Sequence, residues 1–558
     1  MAKIHTLKIS NYKRLKDFEQ VFGMTDFVCL LGRGDSGKST ILEAISIVLS
    51  PSWNLTFYDS DFYDSDVSNQ IEIEASLYNL PKDLIQDTKF GLYIRGLDKA
   101  TDKIHDTLEE HHEIILTIRF TLGAELEPKW FVVNNRHQDP IEIRTSDRAS
   151  LNVFLVSDYI DRHFSWSKGN PLYSLLREEN AHRNSGTIVL NALREAKAKI
   201  DSEPFTHLEK VVSKIKSASS LLGIDIDQTT TAIDFKDISL KDGRVCLHEG
   251  SVPFRQKGKG SKRLISIAIQ TELANSGGIL LIDEIEQGLE PDRAQHLTRT
   301  LKKQNNGQIF VSTHSRDVIV ELKAANIFRV KKKNTSLFQL DDSLQACLRS
   351  NPEAFFSDRV LLCEGPTEIG ICRALNESRI TSGKDNASYL GIRFANGNGS
   401  TQENYALGFL KAGYSVCMFC DSDVTDFNNK KKKLTDLGIH IVDCDNCNST
   451  ETQIFYDLPW DGVKELIKYQ ITQIEESLFD SVKAAYASYG TLSEQVWYET
   501  DSIELRKVIG ETAKKKNWFK RTDHGEFLGQ VCCKYQDLIA NKRFGKQLLG
   551  LSKWIENV

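Results

Sequence analysis

No run of apolar residues in this sequence approaches the roughly 20 needed to cross a bilayer as a helix, so no membrane-spanning helix is expected among its 558 residues. The opening Met1-Ala2-Lys3-Ile4-His5 passes directly into an alternating segment and lacks the apolar core of a secretory leader. The expected location is cytoplasmic. Cysteine offers no disulfide framework: eleven is an odd number, and without a secretion signal reduced thiols are expected. Surplus positive charge is missing as well. With 71 Lys and Arg against 77 Asp and Glu the net charge is −6, which neither demands nor excludes nucleic acid. Any such contact is left to a local basic patch or a bridging metal. Lys331-Lys332-Lys333 and Lys430 to Lys433 are candidate patches, although most lysine runs are solvated loops. A sustained heptad is also absent, which excludes a long coiled coil.

What is present first is Val28-Cys29-Leu30-Leu31-Gly32-Arg33-Gly34-Asp35-Ser36-Gly37-Lys38-Ser39-Thr40, a short apolar strand, a glycine-rich turn and a helix start. Gly32, Gly37, Lys38 and Ser39 fit G-x-x-x-x-G-K-[ST]. Glycines there, Gly34 included, let successive backbone N–H groups face phosphate oxygens, and the helix N-terminus opening at Ser39 and Thr40 adds positive potential. Lys38 is expected on the outer phosphates of ATP and the Ser39 hydroxyl on Mg²⁺. A second carboxylate on a neighbouring strand completes such a site. Ile279-Leu280-Leu281-Ile282-Asp283-Glu284 supplies it, with Asp283 for the metal and Glu284 to orient the attacking water. Glu286 to Glu290 stand where a subunit-crossing loop is expected, and the strand Ile309–Ser312 leads to His314, placed to sense the γ-phosphate.

Gly258-Lys259-Gly260-Ser261 opens an apolar helix and resembles the signature segment of ABC-type ATPases, without the full L-S-G-G-Q pattern. Gly258, Gly260 and Ser261 would then complete the ATP site of a partner, so a head-to-head homodimer or higher homo-oligomer is expected. In this order the pieces look like an ABC-type ATPase head of the SMC-like class. Alternating segments at Ile71–Ala75, Ile114–Leu122 and Trp130–Val133 predict an antiparallel sheet beside the nucleotide-binding one. Asp98–His112 reads as a surface loop. Three- and four-residue apolar steps predict a helical, dimerising insert over about 151–230, with strands resuming near Ala232–Leu240.

After Asn351-Pro352 a second site begins. Arg359–Cys363 is a continuous apolar strand running into Glu364-Gly365-Pro366-Thr367-Glu368, and Tyr414–Cys420 is another, ending in Asp421-Ser422-Asp423. Carboxylates gathered at the ends of two core strands repel one another, and divalent ions with a taste for oxygen, Mg²⁺ or Mn²⁺, are their natural partners. E-G-P-T-E and D-S-D after apolar strands resemble the Toprim domain of topoisomerases, primases and nucleases. An SMC-like head followed by Toprim is similar to the OLD (overcoming lysogenization defect) family of ATP-dependent endonucleases.

The resemblance implies an α/β protein with an ATPase head at 1–345, carrying the antiparallel subsheet and the insert, and a Toprim nuclease domain with a basic helical extension at 346–558. It implies Glu364, Glu368, Asp421 and Asp423 as metal ligands, with Glu451 of Thr450-Glu451-Thr452-Gln453 as a further one. Gly397 or Gly399 would form the intervening turn. In Asn541-Lys542-Arg543-Phe544-Gly545-Lys546, Lys542 would stabilise transition-state charge, with Lys546 as the alternative. The implied chemistry is two-metal phosphodiester hydrolysis of DNA, within anti-phage defence and sometimes beside a helicase or a reverse transcriptase with its DNA product. An ATP-gated DNA-binding, repair or signalling protein without cleavage is the competing reading. Cys417-x-x-Cys420 with Cys444-x-x-Cys447 has zinc-like spacing, but the first pair sits in an apolar strand, which favours buried thiols.

Overall fold

The computed structural model describes residues 2–136, 139–157, 160–165, 170–178, 194–195, 198–199, 211–214, 247–275, 278–303, 307–331, 336–444, 448–473, 478–494 and 497–557. Most of the insert expected at 151–230, the strand expected at Ala232–Leu240, Lys332, Lys333 and Cys447 lie outside the described residues. The helical insert does not begin at 151: Phe154–Val156, an apolar run buried beside Ile279–Ile282, is a strand of the nucleotide-binding sheet. No helix among the described residues is long and apolar enough to cross a membrane.

The hairpin β1 (Lys3–Tyr12) and β2 (Leu15–Val21) leads into β3 (Phe27–Leu31) and the helix Lys38–Val48. Next come β4 (Ile71–Tyr78), β5 (Arg95–Asp98), β6 (Lys103–His105), β7 (Glu113–Leu122), β8 (Pro128–Val133) and β9 (Ile141–Glu142). With β1 and β2 these form an antiparallel sheet in the order β2-β1-β4-β7-β5-β6, extended through β8 on β7 and β9 on β8. The stretch expected as a loop over Asp98–His112 contains β6, which turns back on β5.

A second sheet runs β10 (Phe154–Val156), β13 (Ile279–Ile282), β14 (Gln308–Thr313), β3, β15 (Ile327–Arg329) and β16 (Phe338–Gln339). Its central strands are parallel, and a small hairpin, β11 (His248–Glu249) and β12 (Val252–Pro253), stands apart. The last sheet, β18 (Ile392–Asn396), β17 (Arg359–Cys363), β19 (Ser415–Phe419) and β20 (His440–Val442), is parallel throughout.

Side-chain alternation along these strands sorts the interior into three main cores. Val28 and Leu30 of β3 face the helix Lys38–Val48 and the antiparallel sheet. Cys29 and Leu31 face the opposite way, into a core that continues without a break to Val360 and Leu362 of β17 and Val416 and Met418 of β19. Leu361, Cys363, Cys417 and Phe419 turn to the far side, where the C-terminal helices cover them. The continuous runs in β3, β13, β17 and β19 thus reflect burial on both faces of parallel strands.

The contact between the two parallel sheets is also polar. Arg329, 2% exposed, donates to the carbonyls of Ala412 and Gly413 (2.7 Å to the latter) and to Asp358 (3.2 Å), and its guanidinium lies 3.8 Å from the Tyr414 ring centre. Arg33, within the glycine-rich turn, donates to the other oxygen of Asp358 at 3.2 Å. Asp358 immediately precedes β17, so both arginines grip the N-terminal edge of the sheet whose opposite edge ends in Glu364.

Candidate active sites

The first site forms where β3, β13 and β14 end together. Gly37 takes φ 104°, which an L side chain rarely adopts, and a Cβ on Gly32 would lie 2.5 Å from the Val330 carbonyl oxygen. Glycine at these positions keeps the turn tight over the helix that begins at Lys38. The buried Lys38 ammonium donates to the carbonyls of Gly32 (2.9 Å) and Arg33 (3.1 Å). Burial pulls its pKa below the ordinary lysine value, against the pull of Asp283, Glu284 and Glu286. Ser39 is exposed in the first helical turn, Thr40 is half-buried beside it, and Gly34 has open space around it. Arg14, from the β1–β2 turn, donates to the Asp35 carbonyl at 3.2 Å.

Across the sheet, the Ser312 hydroxyl donates to Asp283 Oδ1 at 2.5 Å and accepts from the Glu284 N–H at 2.8 Å. Glu284 itself takes φ 48°, so the chain bends sharply where the strand ends. The Glu286 carboxylate accepts from Thr313 Oγ1 (2.7 Å) and from the His314 N–H (2.6 Å), locking the turn that carries His314. Partial desolvation and the Lys38 charge pull the His314 pKa down against the nearby carboxylates, which leaves a neutral ring at pH 7. Lys38, Asp283, Glu284 and His314 are therefore brought to one place.

Gly258, Gly260 and Ser261 are not. They stand at the N-terminus of the helix Lys259–Asn275, with Gly258 and Ser261 exposed. A Cβ on Gly260 would lie 2.4 Å from the Gly288 carbonyl oxygen, so glycine lets this helix approach the loop after Glu284. Arg263, one turn on and 3% exposed, donates to the carbonyls of Asp283 and Glu284 (2.9 Å to the latter) and to Gln287 (2.6 Å). It links the signature-like helix to the carboxylate strand, a role the sequence alone did not mark.

The second site lies at the C-terminal edge of β17 and β19. Glu364 Oε2 accepts from the Asp421 N–H at 2.8 Å, and Asp421 Oδ1 accepts from the Thr450 N–H at 2.8 Å. Glu368 caps its own helix, accepting from the Gly365 N–H at 2.9 Å. The Thr367 hydroxyl donates to the Phe519 carbonyl at 2.9 Å and lies 3.4 Å from Glu451 Oε1. Gly397 and Gly399 close the turn against this edge, donating to the carbonyls of Cys363 (2.7 Å) and Glu364 (2.9 Å). Buried Gln402 ties the ends of β17 and β19 through the Leu362 and Phe419 carbonyls. A cleft of about 300 Å³ opens beside Glu364 and Asp421, with Phe427 and Lys430 on its wall.

Three of these acids are almost wholly enclosed: Glu451 is 1% exposed, Glu368 2% and Asp421 6%. Burial, then Glu364 and Glu451, pushes Asp421 up to about 7. Burial, then Asp421 and Glu451, holds Glu368 well above the usual carboxylate range. Glu451 Oε2 is enclosed without a hydrogen-bond partner among the described residues. Buried acids that couple to one another, with one carboxylate oxygen left unsatisfied, are the donor chemistry a hard divalent cation takes. Asp423 lies at the rim and pairs with Lys514. Lys520 stands 3.6 Å from Glu451; burial works against its charge, but Glu451, Glu368, Asp421 and Glu364 outweigh it and hold its pKa above the ordinary lysine value.

Lys542 and Lys546 are not brought to these carboxylates. The final helix, Arg543–Glu556, buries Phe544, Leu548 and Leu551 in the third core, and its first turn is pinned by the Phe544 N–H on Asp457 at 2.6 Å. Lys542 consequently lines a separate cleft of about 510 Å³ with Asp457, Asp501 and Arg506, and Lys546 is exposed. The cations beside the acids, Lys514 and Lys520, come from Lys514-Lys515-Lys516-Asn517-Trp518-Phe519-Lys520-Arg521. Its mixture of cations and aromatics was the available signal.

A glycine-rich phosphate turn facing a carboxylate-bearing strand defines an ATPase, and the acid-tipped parallel sheet joined to it defines a Toprim fold. The family model described as "AAA domain, putative AbiEii toxin, Type IV TA system" matches residues 27–321, more than half of the chain. The model described as "Overcoming lysogenization defect protein-like, TOPRIM domain" matches residues 355–423. The chain belongs to the AAA_21 family and, with its second domain, is an OLD-family ATPase–Toprim protein.

Three solved structures each match 60% of this chain at 14% identity. One is an Smc head bound to the C-terminal winged-helix domain of ScpA (TM-score 0.32, 96% of that chain). Another is an Smc head with an extended coiled coil, bound to the C-terminal domain of ScpA derived from Pyrococcus furiosus (0.33, 95%). The third is an SMC head domain from Thermotoga maritima (0.28, 97%). A search of curated proteins gave no match.

Proposed function

We propose that this protein is an ATP-hydrolysing, divalent-metal-dependent DNA endonuclease of the cytoplasm, acting as a homodimer in defence against phage. In this reading residues 1–345 form the ATPase head and 346–558 the nuclease. The observation that carries it is the crowding of Glu364, Glu368, Asp421 and Glu451 at one sheet edge, with a buried Glu451 oxygen left unsatisfied. Acids that only capped strands and helices would stand in water, whereas burial, reinforced by the neighbouring carboxylates, raises Asp421 and Glu368.

Glu364, Glu368, Asp421, Asp423 and Glu451 would hold Mg²⁺ or Mn²⁺, supplying Lewis acidity toward water and the phosphodiester, as Ser39 and Asp283 would hold Mg²⁺ for ATP. Lys520 sets a fixed positive charge beside Glu451, where it neutralises part of the carboxylate field and faces the charge that grows on a phosphodiester in the transition state. In the ATPase head, Lys38 would exchange the Gly32 and Arg33 carbonyls for the outer phosphates, and Glu284 would orient the attacking water. Plasmid nicking in Mg²⁺ and Mn²⁺ tests the reading. An inert protein that still binds DNA in an ATP-dependent way would replace it with an ATP-gated binding protein.

The acid cluster also sets a pH dependence of stability. The folded-state pKa of Asp421, about 7, lies above the roughly 3.9 of an unfolded chain. The native state therefore holds this proton more tightly. In chelator, the stabilisation is fully present below about pH 4 and is lost as the pH rises toward 7. Asp421→Asn removes the charge and keeps an oxygen for the Thr450 N–H. In EDTA at pH 8 its melting temperature should exceed that of the wild type by about 2 °C or more, with the gap closing near pH 5. An equal melting temperature at both pH values would show that the acids are not in conflict.

Nucleotide should control cleavage. Gly258, Gly260 and Ser261 are available only to a partner's ATP, so ATP would favour a docked dimer by its extra contacts there. Arg33 and Arg329 hold the nuclease sheet by Asp358, so head movement carries that sheet with it. Cleavage rates without nucleotide, with ATP and with a non-hydrolysable analogue should differ severalfold in the wild type. They should become alike in Ser261→Arg, whose side chain obstructs docking. Identical rates across all three states in the wild type would separate the two activities.

A further inference from the structure

The segment Lys514–Arg521 carries five cations and no acid in eight residues of a chain whose net charge is −6. Its aromatic residues are anchors. Trp518 is 3% exposed and Phe519 fully buried, both within the third core, and their carbonyls accept from Gln470 and Thr367. Asn517, at φ 56°, turns the chain between them and the end of the helix Ile503–Lys515. The following helix, Thr522–Lys534, is seated just as closely: a Cβ on Gly525 would lie 2.9 Å from Thr367 Cα, one residue from Glu368. A strap pinned in this way presents its cations from a fixed backbone.

Those cations exceed what the neighbouring acids need. Lys514 pairs with Asp423, Lys520 with Glu451 and Arg521 with Asp523. Lys515 and Lys516 are exposed and have no ion-pair partner among the described residues. Lys430 lines the cleft beside Glu364 and Asp421, paired with Glu403, and Lys431 pairs with Asp443; their helix, Thr425–Asp436, also carries Lys432 and Lys433, exposed and unpaired among the described residues. Two sets of free ammonium groups thus belong to elements that meet the acid cluster, the strap through Lys514 on Asp423 and Lys520 on Glu451, and the helix through Lys430 on the cleft wall. A polyanion with regularly spaced single charges, running past the carboxylates, matches that layout.

We infer that the Lys514–Arg521 strap and the Lys430–Lys433 helix are the two banks of a DNA-backbone track, with Lys515 and Lys516 holding phosphates on one side of the scissile bond and Lys432 and Lys433 on the other. This rests on the nuclease reading for the position of that bond. Each neutralised phosphate releases counterions, so binding should weaken with salt in proportion to the lysines engaged.

The test measures binding of a labelled duplex to the full-length protein in EDTA, where metal-dependent cleavage is suppressed, across a series of salt concentrations. Lys515→Glu/Lys516→Glu should weaken binding at least tenfold near 0.1 M salt and flatten the slope of log K against log salt by about 2. Lys432→Glu/Lys433→Glu should do the same, while ATP turnover stays at the wild-type rate in both. Lys515→Gln/Lys516→Gln, which adds no repulsion, should show the same loss of slope with a smaller loss of affinity. Unchanged affinity and slope in the strap variants would overturn the track. So would an equal loss of binding to polyglutamate, which would mark an acidic protein as the partner. A wild type that binds with the expected slope and cuts in no metal would remove the nuclease reading and leave the track standing. A wild type that cuts, with strap variants that bind normally, would do the reverse.

Discussion

Alanine at Glu364 or at Asp421 is expected to reduce metal-dependent DNA cleavage by two orders of magnitude or more, the range reached when a group that organises transition-state charge is lost. ATP turnover should stay near the wild-type rate. The two residues are joined at the tip of the Toprim sheet through the Asp421 N–H on Glu364, and Asp421 also accepts from Thr450, so each substitution would remove a proposed metal ligand and loosen the frame of the other. ATP turnover is spared because the ATP site meets the opposite edge of that sheet, at Asp358, with the length of β17 between them. Plasmid nicking beside a phosphate-release assay reads both quantities on one preparation. Full nicking by both variants would sink the assignment of this cluster.

The second large effect is expected at Lys38. Its ammonium is buried and satisfied by the Gly32 and Arg33 carbonyls, so it already points into the turn that would receive the phosphates. Lys38→Ala removes that charge and leaves the two carbonyls facing ATP, and nucleotide affinity should fall about a hundredfold or more, by roughly 3 kcal/mol. Glu284→Gln separates binding from chemistry. The amide is nearly the same size and the Ser312 contact is made by the Glu284 backbone, so nucleotide should still bind. Hydrolysis should slow by about 10²-fold or more, as expected when a general base or water-orienting carboxylate is removed. Titration of a fluorescent nucleotide and steady-state phosphate release distinguish the two variants. An unchanged hydrolysis rate in Glu284→Gln would assign water orientation elsewhere.

Much of this layout was legible from residues alone, for a physical reason. Strands buried on both faces read as unbroken apolar runs, and β3, β13, β17 and β19 each run into a candidate site motif, so run and motif identify each other. Glycine behaved similarly at Gly37 and Gly32, where backbone shape or close approach permits nothing larger. What stayed hidden depends on contacts between residues far apart in the chain. Arg263 acts through carbonyls twenty residues away, which no side-chain pattern announces. Lys520 reaches Glu451 because Trp518 and Phe519 are pulled into a core assembled from several helices. Lys542 attracted notice as part of a basic motif, yet the packing of its helix turns it toward Asp457 and Arg506. Most of the insert lies outside the described residues; within the described part Pro171–Glu178 is helical and Phe154–Val156 is not, and the remaining helices stand as expectations.

The interior that runs from Leu31 through Leu348 and Phe355 to Met418 has an evolutionary consequence. Domains strung as beads can be exchanged by recombination, because each carries its own finished surface. Here a crossover near residue 345 would divide an oily layer in half and leave Arg329 without the carbonyls that hold its charge. A foreign Toprim half would have to bring a matching apolar face and matching acceptors together. Descent should therefore have kept the two halves as one heritable piece, diversifying around the rims of their clefts while the seam between them stayed still.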